Sequence, residues 1–323
     1  MLEGARIAAA DGIPVRAFGP AGLTAPSGVE LIASEGVIGN DVDPVAAVRS
    51  TPDASVVVAA DDVAGGRSGA LVSAGSTGAA MTAALFALKR LHGVHRPALA
   101  VQVPVPGRER PLLLLDCGAN TEVRPQHLIQ FASLGAAFAE SVLGTERPRV
   151  GLLSVGEEQK KGRPDVVEAH EALRESEGIE FAGNVEGRDL LTGAADVVVT
   201  DGFTGNVALK TLEGTARVVA GAVRDAARSG PLAAAGGLLL RPALGELRAA
   251  MDPNAVGGAI LLGLRGVAVV AHGSSSPDGI ASAVRLADSS IRERAVERTA
   301  ERLAASGATR EALREGAAEA SRR

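Results

Sequence analysis

Five times the sequence runs through a short, uninterrupted apolar segment and stops on glycine and polar residues. The five are GALVSAGSTGAAM (69–81), LLLLDCGANTEVRP (112–125), VGLLSVGEEQKKG (150–162), VVVTDGFTGN (197–206) and VAVVAHGSSSPDG (267–279). Continuous rather than alternating apolar residues mark strands covered on both faces, as in the parallel sheets of α/β folds. Helical patterns follow the turns. Pro125 suits a first helical position, Leu128, Ile129, Phe131, Phe138 and Val142 share one broad face, and Gly144 can close the end. Ala79 to Leu91 is almost wholly apolar, with Lys89, Arg90 and His92 placed where cations suit a helix C-terminus and Gly93 as its stop. The expected class is α/β, with a mainly parallel sheet and helices on both faces.

Composition narrows the function. The chain has 323 residues, enough for a large α/β unit over 1–287 followed by a charged helical tail over 288–323. Six Phe, no Trp or Tyr and a net charge of −5 argue against nucleic acid, which wants stacking rings and positive charge. A single cysteine, Cys117, permits no internal disulfide, and no Cys/His spacing suggests a metal. No apolar window is long enough to span a bilayer, so a soluble cytoplasmic protein without metal or cofactor is expected.

In such sheets ligands bind beyond the carboxyl ends of strands, where glycine turns and helix N-termini offer N–H groups to anions. All five polar turns are expected at such ends. Lys210, one to two turns into the helix after Asp201, opposes the helix dipole unless an anion intervenes; the alternatives are solvent or a pair with Glu213. Asp201 fits an N-cap as well as a catalytic group. No turn matches a P-loop or a dinucleotide fingerprint.

Five stretches in order carry a more specific resemblance: VSAGSTGAAMTAALF with HRPALA, DCGANTEVRPQHLIQFASLG, RPRVGLLSVGEEQKKG, GNVEGRDLLTGAADVVVTDGFTGNVALKTLEG and GGAILLGLRGVAVVAHGSS. Together, over roughly residues 49 to 287, they resemble the phosphate acyltransferase family of bacterial phospholipid synthesis, PlsX. The resemblance implies a fold of the phosphate-acetyltransferase and isocitrate-dehydrogenase kind. It implies transfer of a fatty acyl group from acyl-[acyl carrier protein] to inorganic phosphate by a homodimer, the acyl phosphate passing to a membrane acyltransferase. Ser76, Thr77 and Gly78 stand where the family has Gly-Asn-Thr-Gly, and with Asp116, Gly205 and Ser274 they become candidates for holding phosphate or acyl phosphate. Ser76 replaces the usual Asn.

On the same resemblance, Asn120 and Asn206 would polarise the carbonyl, Lys210 would meet phosphate charge, and Asp116 and Asp201 would orient these groups or handle a proton. His272 would protonate the departing thiolate, or else sit hydrogen-bonded beneath its turn. Glu157, Glu158, Lys160 and Lys161 fit a solvated loop as well as a functional one, and Cys117 fits a buried inert thiol. The stretch 230–251 is expected to form a helical hairpin at a dimer edge or on a membrane surface. Docking of an acidic carrier protein calls for a basic patch, either Lys89, Arg90 and Arg96 or Arg241, Arg248 and Arg265. The family opens with a strand ending in Asp-Ala-Met-Gly-Gly-Asp, and nothing like it precedes Gly12. The chain is therefore expected to enter at the following helix, from a start codon set too late or a natural truncation, with 13–20 as the second strand. The rival readings are a coenzyme A-dependent phosphate acetyl- or butyryltransferase, and a docking scaffold without activity.

Overall fold

The computed structural model of the protein describes residues 1–250 and 256–320. All five apolar runs form strands: β3 (Ala70–Ser73), β5 (Leu112–Leu115), β6 (Arg149–Leu153), β8 (Val197–Val199) and β10 (Val267–Val270). They join β4 (Ala98–Val103), β7 (Glu180–Val185) and β9 (Ala259–Leu262) in an eight-stranded sheet of order β3-β10-β9-β4-β5-β8-β6-β7. Two further strands, β1 (Val15–Gly19) and β2 (Val29–Ala33), pair in parallel as a separate two-stranded sheet.

The large sheet is parallel within two blocks but mixed overall. β3 runs parallel to β10, and β5, β8, β6 and β7 run parallel to one another. Between the blocks, β10 to β9, β9 to β4 and β4 to β5 are each antiparallel. Three reversals leave the β5 block pointing opposite to β3 and β10. The turns after β5, β6 and β8 therefore emerge at one edge of the sheet and those after β3 and β10 at the other. Each polar turn sits at its own strand's carboxyl end, as expected, but the five do not share one edge.

Helices cover both faces. One face carries α5 (Pro125–Ser141) and α9 (Pro277–Arg292), whose Leu128, Phe131, Leu134, Phe138, Ile280 and Leu286 meet alternate strand residues such as Leu113, Leu115, Val197 and Val269 in one core. On the opposite face α3 (Ser55–Ala64) and α4 (Thr77–Leu88) pack on Leu71, Leu99 and Ala268, and α7 (Gly202–Ala226) packs on Val103, Leu112, Leu114 and Val198. β5 is four leucines, all fully buried, which is why this strand reads as an unbroken apolar run. α5 starts at Pro125, and Gly144 takes φ +65° just beyond its end.

α4 stops at Leu88, three residues before the expected Leu91. Lys89 turns to φ +63°, and Leu91 donates its N–H to the Gly263 carbonyl, so residues 89–91 dock on the turn between β9 and β10 instead of continuing the helix. The stretch 230–251, expected as a helical hairpin, carries the single helix α8 (Pro231–Ala250), which follows α7 after a short connection. The side chain of Arg248 and residue Met251 lie outside the described residues. α9 runs unbroken through Asp288, α10 (Ala295–Ala305) packs against α5, and α11 (Arg310–Ala320) follows the Ser306–Gly307 turn. Among the described residues no helix is long and apolar enough to cross a membrane.

Candidate functional site

The turn after β5 is organised by one carboxylate. Asp116, with no solvent exposure, accepts hydrogen bonds through Oδ1 from the N–H groups of Leu99 (3.0 Å), Gly118 (3.2 Å) and Ala119 (2.9 Å). Its Oδ2 accepts from the Asn120 N–H (2.6 Å) and Asn120 Nδ2 (2.7 Å). Burial pushes the Asp116 carboxyl up from its ordinary range, and these donors pull the other way. Asn120 Nδ2 spends its second hydrogen on the Pro97 carbonyl at 2.8 Å. With a carboxylate and a carbonyl as its neighbours, that atom must be the nitrogen. Both donors are used, so Asn120 frames the turn and has no N–H left to polarise a substrate carbonyl.

The turn after β8 is stitched to it. Thr200 N–H donates to the Leu115 carbonyl (2.7 Å), Asp116 N–H to the Thr200 carbonyl (3.0 Å) and Gly202 N–H to the Asn120 carbonyl (2.7 Å). That closeness explains the glycines of the DGFTGN stretch. A Cβ at Gly202 would lie 2.8 Å from the Asn120 carbonyl oxygen, and one at Gly205 would run into the Asp116 carbonyl and lie 3.0 Å from Thr200 Cγ2. Asp201, 3% exposed, caps α7 by accepting from Thr204 N–H (2.9 Å) and Thr204 Oγ1 (2.7 Å). Its Oδ2 also pairs with Arg163 Nη1 at 2.9 Å.

Arg163 escaped the sequence reading. It precedes Pro164, the first residue of α6 (Pro164–Glu175), and it holds Asp165 with two further bonds of 3.1 and 2.6 Å. The signal was present in the tripeptide Arg-Pro-Asp at a helix start, but it lay hidden in a charged loop. Asn206 and Lys210 lie exposed on α7; Lys210 Nζ pairs with Glu213 Oε2 at 2.8 Å, the plainer of its two expected roles. Glu157, Lys160 and Lys161 are exposed in the loop after β6. Cys117 is buried, with its thiol pushed far up by burial.

The second cluster lies at the opposite edge. Ser76 caps α4, its Oγ accepting from Ala79 N–H at 3.4 Å, and Thr77 and Gly78 form the first helical turn. Beside it the Ala271 N–H donates to the Ser73 carbonyl (2.8 Å), which fastens the turn after β10 to the turn after β3. His272 is exposed there, with Nδ1 accepting from Ser274 N–H (3.2 Å) and 2.7 Å from Ser274 Oγ. Ser276 caps α9 through the Gly279 N–H at 3.2 Å. Two helix N-termini with their capping hydroxyls and an exposed imidazole thus lie on neighbouring turns at one edge, an arrangement suited to an anion.

The candidates fall into two groups. Ser76, Thr77, Gly78, His272 and Ser274 come together, as do Asp116, Asn120, Asp201 and Gly205 with Arg163. α4, whose far end at Leu88 packs on Gly266 before β10, separates the two edges by about 18 Å, twelve residues at ~1.5 Å each.

Comparison with known proteins agrees with this architecture. Residues 22–298 match the family model described as fatty acid synthesis protein. The chain is 48% identical over 266 residues to a phosphate acyltransferase of Elusimicrobium minutum, covering 82% of this chain and 77% of that one. It is 48% identical over 265 residues to a phosphate acyltransferase of a Geobacillus species, covering 82% and 80%. Among solved structures, a phosphotransacetylase from Streptococcus pyogenes superposes with a TM-score of 0.58 at 18% identity, covering 91% of each chain, a likeness of fold.

Proposed function

The chain belongs to the fatty acid synthesis protein family, whose members named above are phosphate acyltransferases, and from that membership we propose how this acyltransferase works and what supplies its acyl group. It transfers an acyl group to inorganic phosphate in phospholipid synthesis. The donor is a fatty acyl thioester of acyl carrier protein. Phosphate is its own nucleophile: one of its oxygens bonds to the thioester carbonyl carbon, the C–S bond breaks, and the sulfur leaves with the electron pair. The protein's task is to hold a dianion beside the thioester and to stabilise the oxyanion that forms.

The observation that supports this reading best is the pairing of the turns after β3 and β10. Ser76, Thr77 and Gly78 at the start of α4 bind the phosphate, with Ser274 beside them. His272, with Nδ1 occupied by Ser274, offers Nε2 to the departing thiolate. A thiol of pKa ~8.5 needs little help to leave, so this proton transfer is a modest contribution. Asp116, Asn120, Asp201 and Gly205 fix the start of α7 at the opposite edge of the sheet, so Asn206 and Lys210 on its exposed side contact a part of the substrate remote from the phosphate. No metal or cofactor enters the reaction. The enzyme acts in the cytoplasm as a homodimer, touches the inner membrane surface and passes acyl phosphate to a membrane acyltransferase.

Donor competition tests the carrier assignment. Acyl-[acyl carrier protein] and the matching acyl-coenzyme A are offered with phosphate, and the ratio of kcat/KM is read. A ratio well above one supports the carrier protein; equal or inverted values would assign the chain to coenzyme A chemistry.

A further inference from the structure

The loop that enters β4 gathers arginines. Arg90 and Arg96 are exposed on it, and the exposed Arg265, from the turn between β9 and β10, donates through Nε to the Arg90 carbonyl at 3.0 Å. Arg265 therefore stands with Arg90 and Arg96, although the sequence suggested it for a different patch. Arg96 Nη1 reaches the Glu122 carbonyl at 3.3 Å in the turn after β5, and Arg124, also exposed, caps the start of α5.

The C-terminal tail adds two more. Gln130, fully buried on α5, donates through Nε2 to the carbonyls of Gly93 (2.7 Å) and Ala308 (2.8 Å) and accepts the His95 N–H (2.7 Å). Arg310 N–H donates to the Gly93 carbonyl at 2.8 Å. These bonds dock the start of α11 on the loop before β4. His95 and His127 lie at the centre, ring centroids 5.6 Å apart. Burial, with the charges of Arg310, Arg314 and Arg90 around it, pushes the His95 pKa down, and Arg96 and Arg124 act in the same way on His127. α11 lies beyond residue 298, where the match to the family model ends. None of these six arginines pairs with a carboxylate among the described residues. The surface is positive on a chain whose net charge is −5.

We propose that this surface, formed by Arg90, Arg96, Arg124, Arg265, Arg310 and Arg314, is where an acidic acyl carrier protein docks, an inference that rests on the carrier-protein donor proposed above. The chemistry selects that partner. The cations come from four separate segments, which suits the charged face of a protein rather than one small anion. No large apolar side chain of these segments is exposed, so the surface lacks what would insert into a bilayer. It carries no Phe, Tyr or Trp on which a base could stack. Position agrees with charge. Lys89 directly follows α4, so the dock stands about 18 Å from Ser76 at the other end of that helix, a gap that a thioester on a flexible arm can cross.

The test uses the full chain and two exposed positions, Arg96 and Arg314, where a change of charge leaves the core untouched. Binding of fluorescently labelled acyl carrier protein is read by anisotropy, and kcat and KM are measured with acyl-[acyl carrier protein] and saturating phosphate. The double variant Arg96→Glu/Arg314→Glu is expected to raise Kd and KM about tenfold or more, to leave kcat unchanged and to flatten the dependence of KM on salt, while Arg96→Lys/Arg314→Lys stays near the unaltered chain. Unchanged Kd and KM, or a fall in kcat alone, would overturn the docking surface. So would binding of phosphatidylglycerol vesicles that the Glu variant loses while its KM stays unchanged, which would make the patch a membrane contact. An unaltered chain that forms acyl phosphate from acyl-coenzyme A but not from acyl-[acyl carrier protein] would overturn the donor reading itself, and this inference with it.

Discussion

Gly205 is fixed by a backbone, not by a ligand. Its α-carbon faces the Asp116 carbonyl so closely that Gly205→Ala must displace the turn after β5. The expected cost is about 1–3 kcal/mol, the usual range for overpacking, read as a lowered thermal midpoint. Lys210 gives the opposite expectation. Its pair with Glu213 is exposed, so Lys210→Ala should change stability by less than ~0.5 kcal/mol; a larger loss in urea unfolding would mean that the pair is structural. His272→Gln should leave the fold intact and lower kcat by less than ~100-fold, the lower bound typical of a needed general acid, because a thiolate leaves readily. A larger fall, with unchanged far-ultraviolet circular dichroism, would assign His272 a heavier role than proton delivery. These residues also show what sequence can disclose. The glycines and Asp201 were visible as a turn and cap, whereas the spent donors of Asn120 depend on Pro97, brought close only by folding.

Elements carry the pH dependence. His127 accepts the Arg124 N–H through Nδ1 at 3.1 Å at the start of α5, and burial together with the Arg96, His95 and Arg124 charges pushes its pKa down to about 4. The unfolded chain takes up this proton near pH ~6.5. A depressed folded value therefore gives stability that is present above ~6.5 and lost as pH falls toward 4. His127→Gln should flatten the fall in thermal midpoint between pH 7 and pH 4.5; an unchanged slope would contradict it. Asp62 on α3 obeys the same sign at lower pH. Burial alone would raise its pKa, but Ser68, Arg67 and Arg16 outweigh that and hold it at about 2, so its contribution is lost as pH drops from ~3.9. Elements also divide what was legible from what was not. Strands buried on both faces leave uninterrupted apolar runs, so five of them stood out. Strand direction leaves no mark in a sequence, and the antiparallel β4 and β9 that turn the sheet around were missed. The early end of α4 was hidden for a similar reason, since Leu91 finds its partner at Gly263.

At the scale of the molecule, helices α7 and α8 expose apolar side chains to solvent. Val218, Val219, Leu232, Leu238 and Leu239 are all exposed, Leu239 by 83%. A patch of this kind marks an interface, and a second copy is the proposed cover. Sedimentation should give twice the 32.5 kDa chain mass, and Leu239→Asp should shift the protein toward the monomer; a monomeric unaltered chain would remove the dimer from the account. The central claim is the reaction itself. The most direct measurement incubates the purified chain with a long-chain acyl-[acyl carrier protein], with and without phosphate, and traps acyl phosphate as hydroxamate. Hydroxamate that forms only with phosphate is the predicted result. A folded chain that releases no hydroxamate above the phosphate-free control would contradict the account.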